Sequence, residues 1–223
     1  MHQLLKVTTY LCLFGMFFQP LCKAQNKVLW GGGVSAHIPT NSLSTNNFGF
    51  RDAAGTGGGA NMGTLWFFNP QLSLGSELAY SYFPRNQKTW NQQRRGDIKV
   101  NYQMLNLTAQ GNFYLNEGGA RPYLGVAFGL YYLRNMVNFI SNYVGTTNDA
   151  SVTYVSNTFH AGFGPEAGVL FKRQKNRFAH LSLRYTIIPN IEAEYYPEKQ
   201  VTINPHGKQN HWSLSVKMFF GKR

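Results

Sequence analysis

The sequence predicts an all-β protein: eight antiparallel strands in up-and-down order, closed into a barrel that spans a membrane. Three observations carry this prediction. Apolar residues recur at every second position, most clearly over 121–133, where Leu124, Val126, Phe128, Leu130 and Tyr132 share one face and Tyr123, Gly125, Ala127, Gly129 and Tyr131 the other. Successive side chains of a strand point to opposite sides, whereas a helix would need apolar spacing of three and four. The segments between such stretches alternate strictly between long and short, as they do when up-and-down strands put odd connections at one end and even ones at the other. Finally, the faces opposite the apolar ones are small and rich in glycine. They are too small for a solvated exterior and suit a narrow lumen. The mean hydropathy of −0.30 does not contradict a membrane protein, because a barrel's apolar band sits at alternate positions and averages away. Past the N-terminal segment there is no apolar run near the length a spanning helix needs.

Residues 1–24 read as a cleaved export signal. Lys6 is the positive flank, 7–18 is an apolar run too short to be retained in a bilayer, and Cys22-Lys23-Ala24 places a small residue before a cut at Gln25. Neither Cys12 nor Cys22 has the preceding small residues of a lipoprotein signal. Cleavage leaves 25–223 as one barrel domain. Both cysteines depart with the signal, so the exported chain has neither a disulfide nor a thiol nucleophile. The formal charge of +12 falls to +10 with the loss of Lys6 and Lys23. An exported basic chain meets lipopolysaccharide phosphates, not nucleic acid.

Strand one, 28–38, places Val28, Trp30, Val34, Ala36 and Ile38 on one face and ends at Pro39. A long loop, 40–56, is rich in Asn, Ser, Thr and Gly. Strand two, 57–68, carries Trp66, Phe67 and Phe68, and Asn69-Pro70 is a tight turn. Strand three, 71–83, alternates Leu72, Leu74, Leu78, Tyr80 and Tyr82 with Ser73, Gly75, Glu77, Ala79 and Ser81. After the polar, basic loop 84–97 comes strand four, 98–115. Its apolar residues change phase, from Val100, Tyr102 and Met104 to Leu105, Leu107, Ala109 and Phe113, which predicts a β-bulge near Met104. A short turn, 116–120, leads into strand five. The loop 136–152 leads to strand six, 153–171, with Phe159, Ala161, Phe163, Ala167, Val169 and Phe171 outward and a second bulge expected at Pro165, which has no N–H for a ladder. The short turn 172–176 precedes strand seven, 177–188, whose Leu181, Leu183, Tyr185 and Ile187 oppose His180, Ser182, Arg184 and Thr186. The loop 189–209 precedes strand eight, 210–220, which alternates Trp212, Leu214, Val216, Met218 and Phe220 with His211, Ser213, Ser215, Lys217 and Phe219.

Several stretches are similar to small outer-membrane β-barrel families, namely the OmpA-type membrane domain and the PorT-like barrels of bacteria with a type IX secretion system. They are the Ala24-Gln25 junction, the run from Asn116-Glu117-Gly118-Gly119-Ala120 through Arg121-Pro122-Tyr123-Leu124-Gly125, the run Gly164-Pro165-Glu166-Ala167-Gly168-Val169, and the terminal Met218-Phe219-Phe220. The resemblance implies residence in the bacterial outer membrane, both termini in the periplasm, and a last strand read by the barrel-insertion machinery. Here Gly221-Lys222-Arg223 follow the aromatics where the family ends on Phe, and the OmpA family's peptidoglycan-binding domain has no counterpart.

Alternation places Glu77, Glu166, Arg184, Lys217, His160 and His180 on the lumen face. Unpaired buried charges are costly, so these six read as a lumen ion-pair network, with Glu166 and Arg184 at nearly matching heights on either side of the 172–176 turn. Trp30, Trp66, Tyr80, Tyr82, Tyr132 and Trp212 read as interfacial aromatics at the two membrane surfaces. His180-Leu181-Ser182, with Glu192 or Glu194 downstream, is similar to the His-x-Ser pair of lipid A deacylase barrels. That enzyme must show both groups to lipid, whereas Leu181 and Leu183 claim the lipid side here, and Leu183 replaces the family's Asn. Gly55 and Gly57-Gly58-Gly59 lack the Lys-Ser/Thr of a phosphate loop and precede a strand. The scattered histidines support no metal site, and no cofactor is expected.

These features predict a non-enzymatic envelope component, an accessory or scaffold subunit of a secretion or assembly complex. A lipid-modifying enzyme and a small-solute channel are the alternatives. Partners are expected at the long loops, where Tyr143, Tyr195, Tyr196, Arg85, Lys88, Arg94 and Arg95 would meet an envelope protein, with lipopolysaccharide as the competing ligand.

Overall fold

A computed structural model describes residues 27–40, 50–86, 97–140, 151–174, 176–189, 195–196, 201–202 and 208–221. The expected signal segment 1–24 and most of the loop residues named above, including Lys88, Arg94, Arg95, Tyr143, Glu192 and Glu194, lie outside the described residues. Eight strands form the wall: β1 (Lys27–Pro39), β2 (Gly57–Phe67), β3 (Leu72–Pro84), β4 (Asp97–Tyr114), β5 (Ala120–Ile140), β6 (Ser151–Gln174), β7 (Arg177–Thr186) and, after two short paired strands β8 (Tyr195–Tyr196) and β9 (Val201–Thr202), β10 (His211–Gly221). All wall pairings are antiparallel between sequence neighbours, and β1 pairs with β10 to close the barrel. A single helical turn, α1 (Phe50–Ala53), lies between β1 and β2.

The register can be followed around the wall. His37 pairs with Ser213, Ser213 with Arg184, Arg184 with Glu166, Glu166 with Gly125, Gly125 with Asn112, Asn112 with Ser73, Ser73 with Phe67, and Phe67 with Lys27. One circuit therefore returns to β1 ten residues from its start. A shear of that size on eight strands tilts them by about 40° and gives a radius of about 8 Å, a bore that side chains fill.

The outer surface carries the apolar band. Trp30, Val34, Met62, Leu74, Leu107, Phe128, Leu130, Phe159 and Val216 are among its exposed side chains. Along β4 and the residue after it the band runs from Leu105 to Leu115, both exposed. Ten residues at that tilt span about 25 Å along the barrel axis, the height of a lipid-facing band. A polar row, Gln103, Arg134 and Asn157 on β4, β5 and β6, marks the band's upper border, one step above Leu105, Tyr132 and Phe159. The six aromatics expected at the membrane surfaces divide between the two ends of the band. Trp30 and Trp66 lie at the short-turn end and Tyr80, Tyr82, Tyr132 and Trp212 at the other. Tyr132 donates from its hydroxyl to Asn157 Oδ1 at 2.8 Å.

Several local expectations are corrected. The ladders on both sides of β4 pass Met104 without a shift, so there is no bulge there. Val100, Tyr102 and Met104 are buried in the lumen, and their apolar character belongs to a plug inside the mouth. The register is also the same on both sides of Pro165, with Glu166 opposite Arg184 and Phe163 opposite Ile187. Pro165 removes a donor without adding a residue, and the irregularity falls instead at Lys172/Gln174, beside the turn. The loop expected over 136–152 is shorter, because β5 continues to Ile140 and β6 begins at Ser151. Two other long loops carry local order, α1 in 40–56 and the β8–β9 pair in 189–209.

Candidate functional site

The lumen is stacked in three layers. At the long-loop end, α1 delivers Phe50 into the mouth, where its ring meets Phe83 at 5.0 Å and Tyr102 at 5.7 Å between centroids. Ala54, Val100, Met104, Tyr131, Leu133 and Ile188 complete this layer. At the short-turn end Leu29, Leu65, Phe67, Tyr114, Tyr123, Leu170, Phe178 and Phe219 form a second one. Arg121 lies across it, its guanidinium carbon 4.5 Å from the Tyr114 ring centroid and 4.9 Å from that of Phe67. Such a cation–aromatic contact contributes on the order of 1 kcal/mol.

The middle layer holds the charges. Arg184 on β7 reaches Glu77 Oε1 with Nη1 at 2.7 Å and Glu166 Oε2 with Nη2 at 2.5 Å, and it donates to Gln110 Oε1 at 3.0 Å. Lys217 on β10 donates to the other oxygen of Glu77, and the Tyr123 hydroxyl donates to the other oxygen of Glu166. Two carboxylates thus face two cations, so the set is neutral and the chain's net positive charge lies elsewhere. All four side chains are at least nine-tenths buried. Guanidinium suits the centre of such a set because its planar fork presents several donors at once.

The structure brings together Glu77, Glu166, Arg184 and Lys217 among the six residues expected in the lumen. His180 is buried nearby, but its ring stacks on Tyr123 at 5.2 Å and meets Phe219 edge-on at 5.6 Å. Neither ring nitrogen has a hydrogen-bond partner among the described residues. His160 sits higher on β6, half-buried, with Nε2 2.9 Å from Thr158 Oγ1. A further polar cluster was not anticipated. His37 on β1 lies 2.9 Å from Ser35 Oγ and 3.0 Å from Ser81 Oγ through Nε2, and 2.8 Å from Ser213 Oγ through Nδ1. Its inward direction follows from the alternation of strand one, but its partners come from three strands. A cavity of about 20 Å³ remains between this cluster and the charges, room for one water. His180 and Ser182, the pair similar to a deacylase's, are both buried on the lumen side. Among the described residues no group of three or more His, Cys, Asp or Glu could hold a metal ion.

A closed wall, an outward apolar band about 25 Å high and a filled polar lumen define a small transmembrane barrel of the outer-membrane kind. No protein-family model matches the sequence, and no curated protein matches it. The likenesses are structural. The outer membrane protein OprG from Pseudomonas aeruginosa aligns with a TM-score of 0.58 at 9% identity, covering 89% of this chain and 96% of that one. A major outer membrane protein from Thermus thermophilus aligns at 0.49 and 12% identity over 87% and 99% of the two chains. Neisserial surface protein A aligns at 0.49 and 14% identity over 86% and 96%. At such identity the likeness to OprG shows the fold and nothing finer. The chain is an eight-stranded antiparallel barrel of the type that bacterial outer membranes hold.

Proposed function

We propose that the protein is an integral, non-enzymatic component of the bacterial outer membrane, an accessory or scaffold subunit of a secretion or assembly complex that works through its outer rim. The observation that carries this reading is the filled lumen. A solute would have to displace Phe50 and Phe83 at one mouth, break the neutral set around Arg184, and pass Arg121, Tyr114 and Phe67 at the other. Opening one side of a buried ion pair costs several kcal/mol, too much for a resting pore. A rigid scaffold of this kind leaves binding to its long connections. In the proposed orientation these face outward, and the short turns and both chain termini face the periplasm. The burial of His180 and Ser182 argues against lipid A deacylation, since an acyl chain in the membrane has no route to them.

The test has two arms. Reconstituted in planar bilayers, the purified barrel is expected to leave the membrane resistance unchanged; regular conductance steps would replace this reading with a channel. Shortening the 189–209 connection is expected to leave insertion intact and to remove a specific envelope protein from the detergent-solubilised complex. If every long connection could be shortened without loss of any co-purifying protein, the accessory role would fall.

A further inference from the structure

The lipid-facing wall is not uniform. On its lower half, between β3, β4 and β5, lies a hollow of about 640 Å³, lined by Phe68, Leu72, Leu74, Phe113, Leu124 and Val126 around Gly111. The two polar residues at its wall, Ser73 and Asn112, are buried toward the lumen, where Asn112 Nδ2 lies 3.5 Å from Ser73 Oγ. The hollow's exposed surface is therefore almost wholly apolar. It is an open depression in the wall and not an enclosed pocket, a shape that suits an extended chain lying along the surface.

Gly111 lines the hollow, and packing leaves room for a side chain there. Lumen-side glycines of this wall stand where a Cβ would run into backbone: at Gly129 it would lie 2.3 Å from Leu107 O, and at Gly63 2.3 Å from Ser76 O. At Gly111, on the outer face, a Cβ would meet only Leu74 Cδ2, at 3.7 Å, an ordinary contact. Glycine weakens a strand interior and often marks a bulge, a bend or the close approach of a ligand; the ladders on both sides of Gly111 show no bulge.

We infer that this groove is a binding site for one acyl chain of a phospholipid in the inner leaflet of the outer membrane. The occupant follows from continuity with the membrane-facing surface. At the depth of Gly111, within the exposed band from Leu105 to Leu115, the surrounding medium is hydrocarbon. An extended peptide would bring unpaired amides to a wall that offers no polar partner, and a polar solute would find none either. The leaflet follows from position, since Phe68 and Leu72 flank the short Asn69-Pro70 turn. This step rests on the orientation proposed above, with the short turns in the periplasm. Trp66 borders the groove: it is cross-strand partner to Leu74, and its ring lies 4.7 Å from that of Phe68.

The test uses the mature barrel extracted in mild detergent. Native mass spectrometry after extensive delipidation is expected to show a single retained phospholipid, and Gly111→Leu, which fills the hollow, is expected to abolish that adduct. Leu124→Trp fills it from the opposite wall and should do the same, so the test survives if one variant fails to fold. Ala109→Leu, on the same outer face but outside the lining, should retain the lipid. In bilayers of phosphatidylethanolamine with brominated acyl chains, Trp66 fluorescence should be quenched more strongly in the wild type than in Gly111→Leu. Equal retention and equal quenching in wild type and both filled variants would overturn the site. Retention of lipopolysaccharide in place of phospholipid would overturn the assigned leaflet. A barrel that keeps its phospholipid but conducts ions would refute the sealed-lumen reading and leave the groove intact.

Discussion

Replacing Arg184 with Met is expected to destabilise the folded barrel by about 3–5 kcal/mol, because it strands a buried carboxylate. Arg184 is the shared partner of Glu77 and Glu166. When it is removed, Glu77 keeps Lys217, but Glu166 keeps only the Tyr123 hydroxyl as a hydrogen-bond partner among the described residues. A hydroxyl donates one hydrogen bond and no charge, and bulk water does not reach a layer closed by apolar side chains at both ends. Adding Glu166→Gln to Arg184→Met removes the stranded charge and should recover at least about 2 kcal/mol, a coupling typical of groups in one network. Urea unfolding of the barrel in phospholipid bilayers measures both values. If Arg184→Met cost less than about 1 kcal/mol, as an exposed ion pair does, the middle layer would not be a closed electrostatic plug.

That network also shows how much of the site could be read from the sequence. The inward direction of Glu77, Glu166, Arg184 and Lys217 follows from alternation alone, since each sits opposite the apolar positions of its own strand. The Glu166–Arg184 pairing is nearly legible as well, since the two lie at similar heights across a short turn, but the observed register also depends on the irregularity at Lys172/Gln174. The meeting of Arg184 with Glu77 does not. Their strands, β7 and β3, are not neighbours in the wall, and the contact spans the bore. It depends on the ten-residue shear of the closed barrel, a property of the whole circuit that no single strand carries.

The misread elements have a common physical cause. Alternation identifies two faces but does not say what medium each one meets. Over most of the chain the apolar face meets lipid, so by alternation Val100, Tyr102 and Met104 read as a lipid face slipped by one residue. They are instead lumen residues packed with Phe50 and Phe83 in the plug at the mouth. Leu29, Leu65 and Phe67 do the same at the other end. Pro165 misled for a related reason. A missing donor predicts a break in the ladder, and the ladder does pause there, but the bulge that would repair it is not needed because the register is already correct on both sides.

Gly33→Ala is expected to be the most damaging change on the β1 strand, although it adds a single carbon. Gly33 faces inward, paired with Lys217 on β10 and Asn61 on β2. A Cβ there would lie 1.9 Å from Val216 O and 2.7 Å from Lys217 Cα, both backbone atoms of the strand that closes the barrel. A side-chain neighbour could rotate away, but a ladder strand has no such freedom, so β10 must shift as a unit. The shift would also carry Lys217 off Glu77, so steric and electrostatic losses add at one place. Overpacking alone typically costs about 1–3 kcal/mol, and the closing seam has no further strand to share the displacement. The expected readout is loss of the compact form that resists SDS until boiled, because a barrel that cannot pair β1 with β10 is left with two open edges. Gly111→Leu, with a larger side chain on the outer face, should keep that form. If Gly33→Ala folded with wild-type stability and migrated as the compact form, the β1–β10 register described here would be wrong, and the shear and the placement of Lys217 beside Glu77 would be wrong with it.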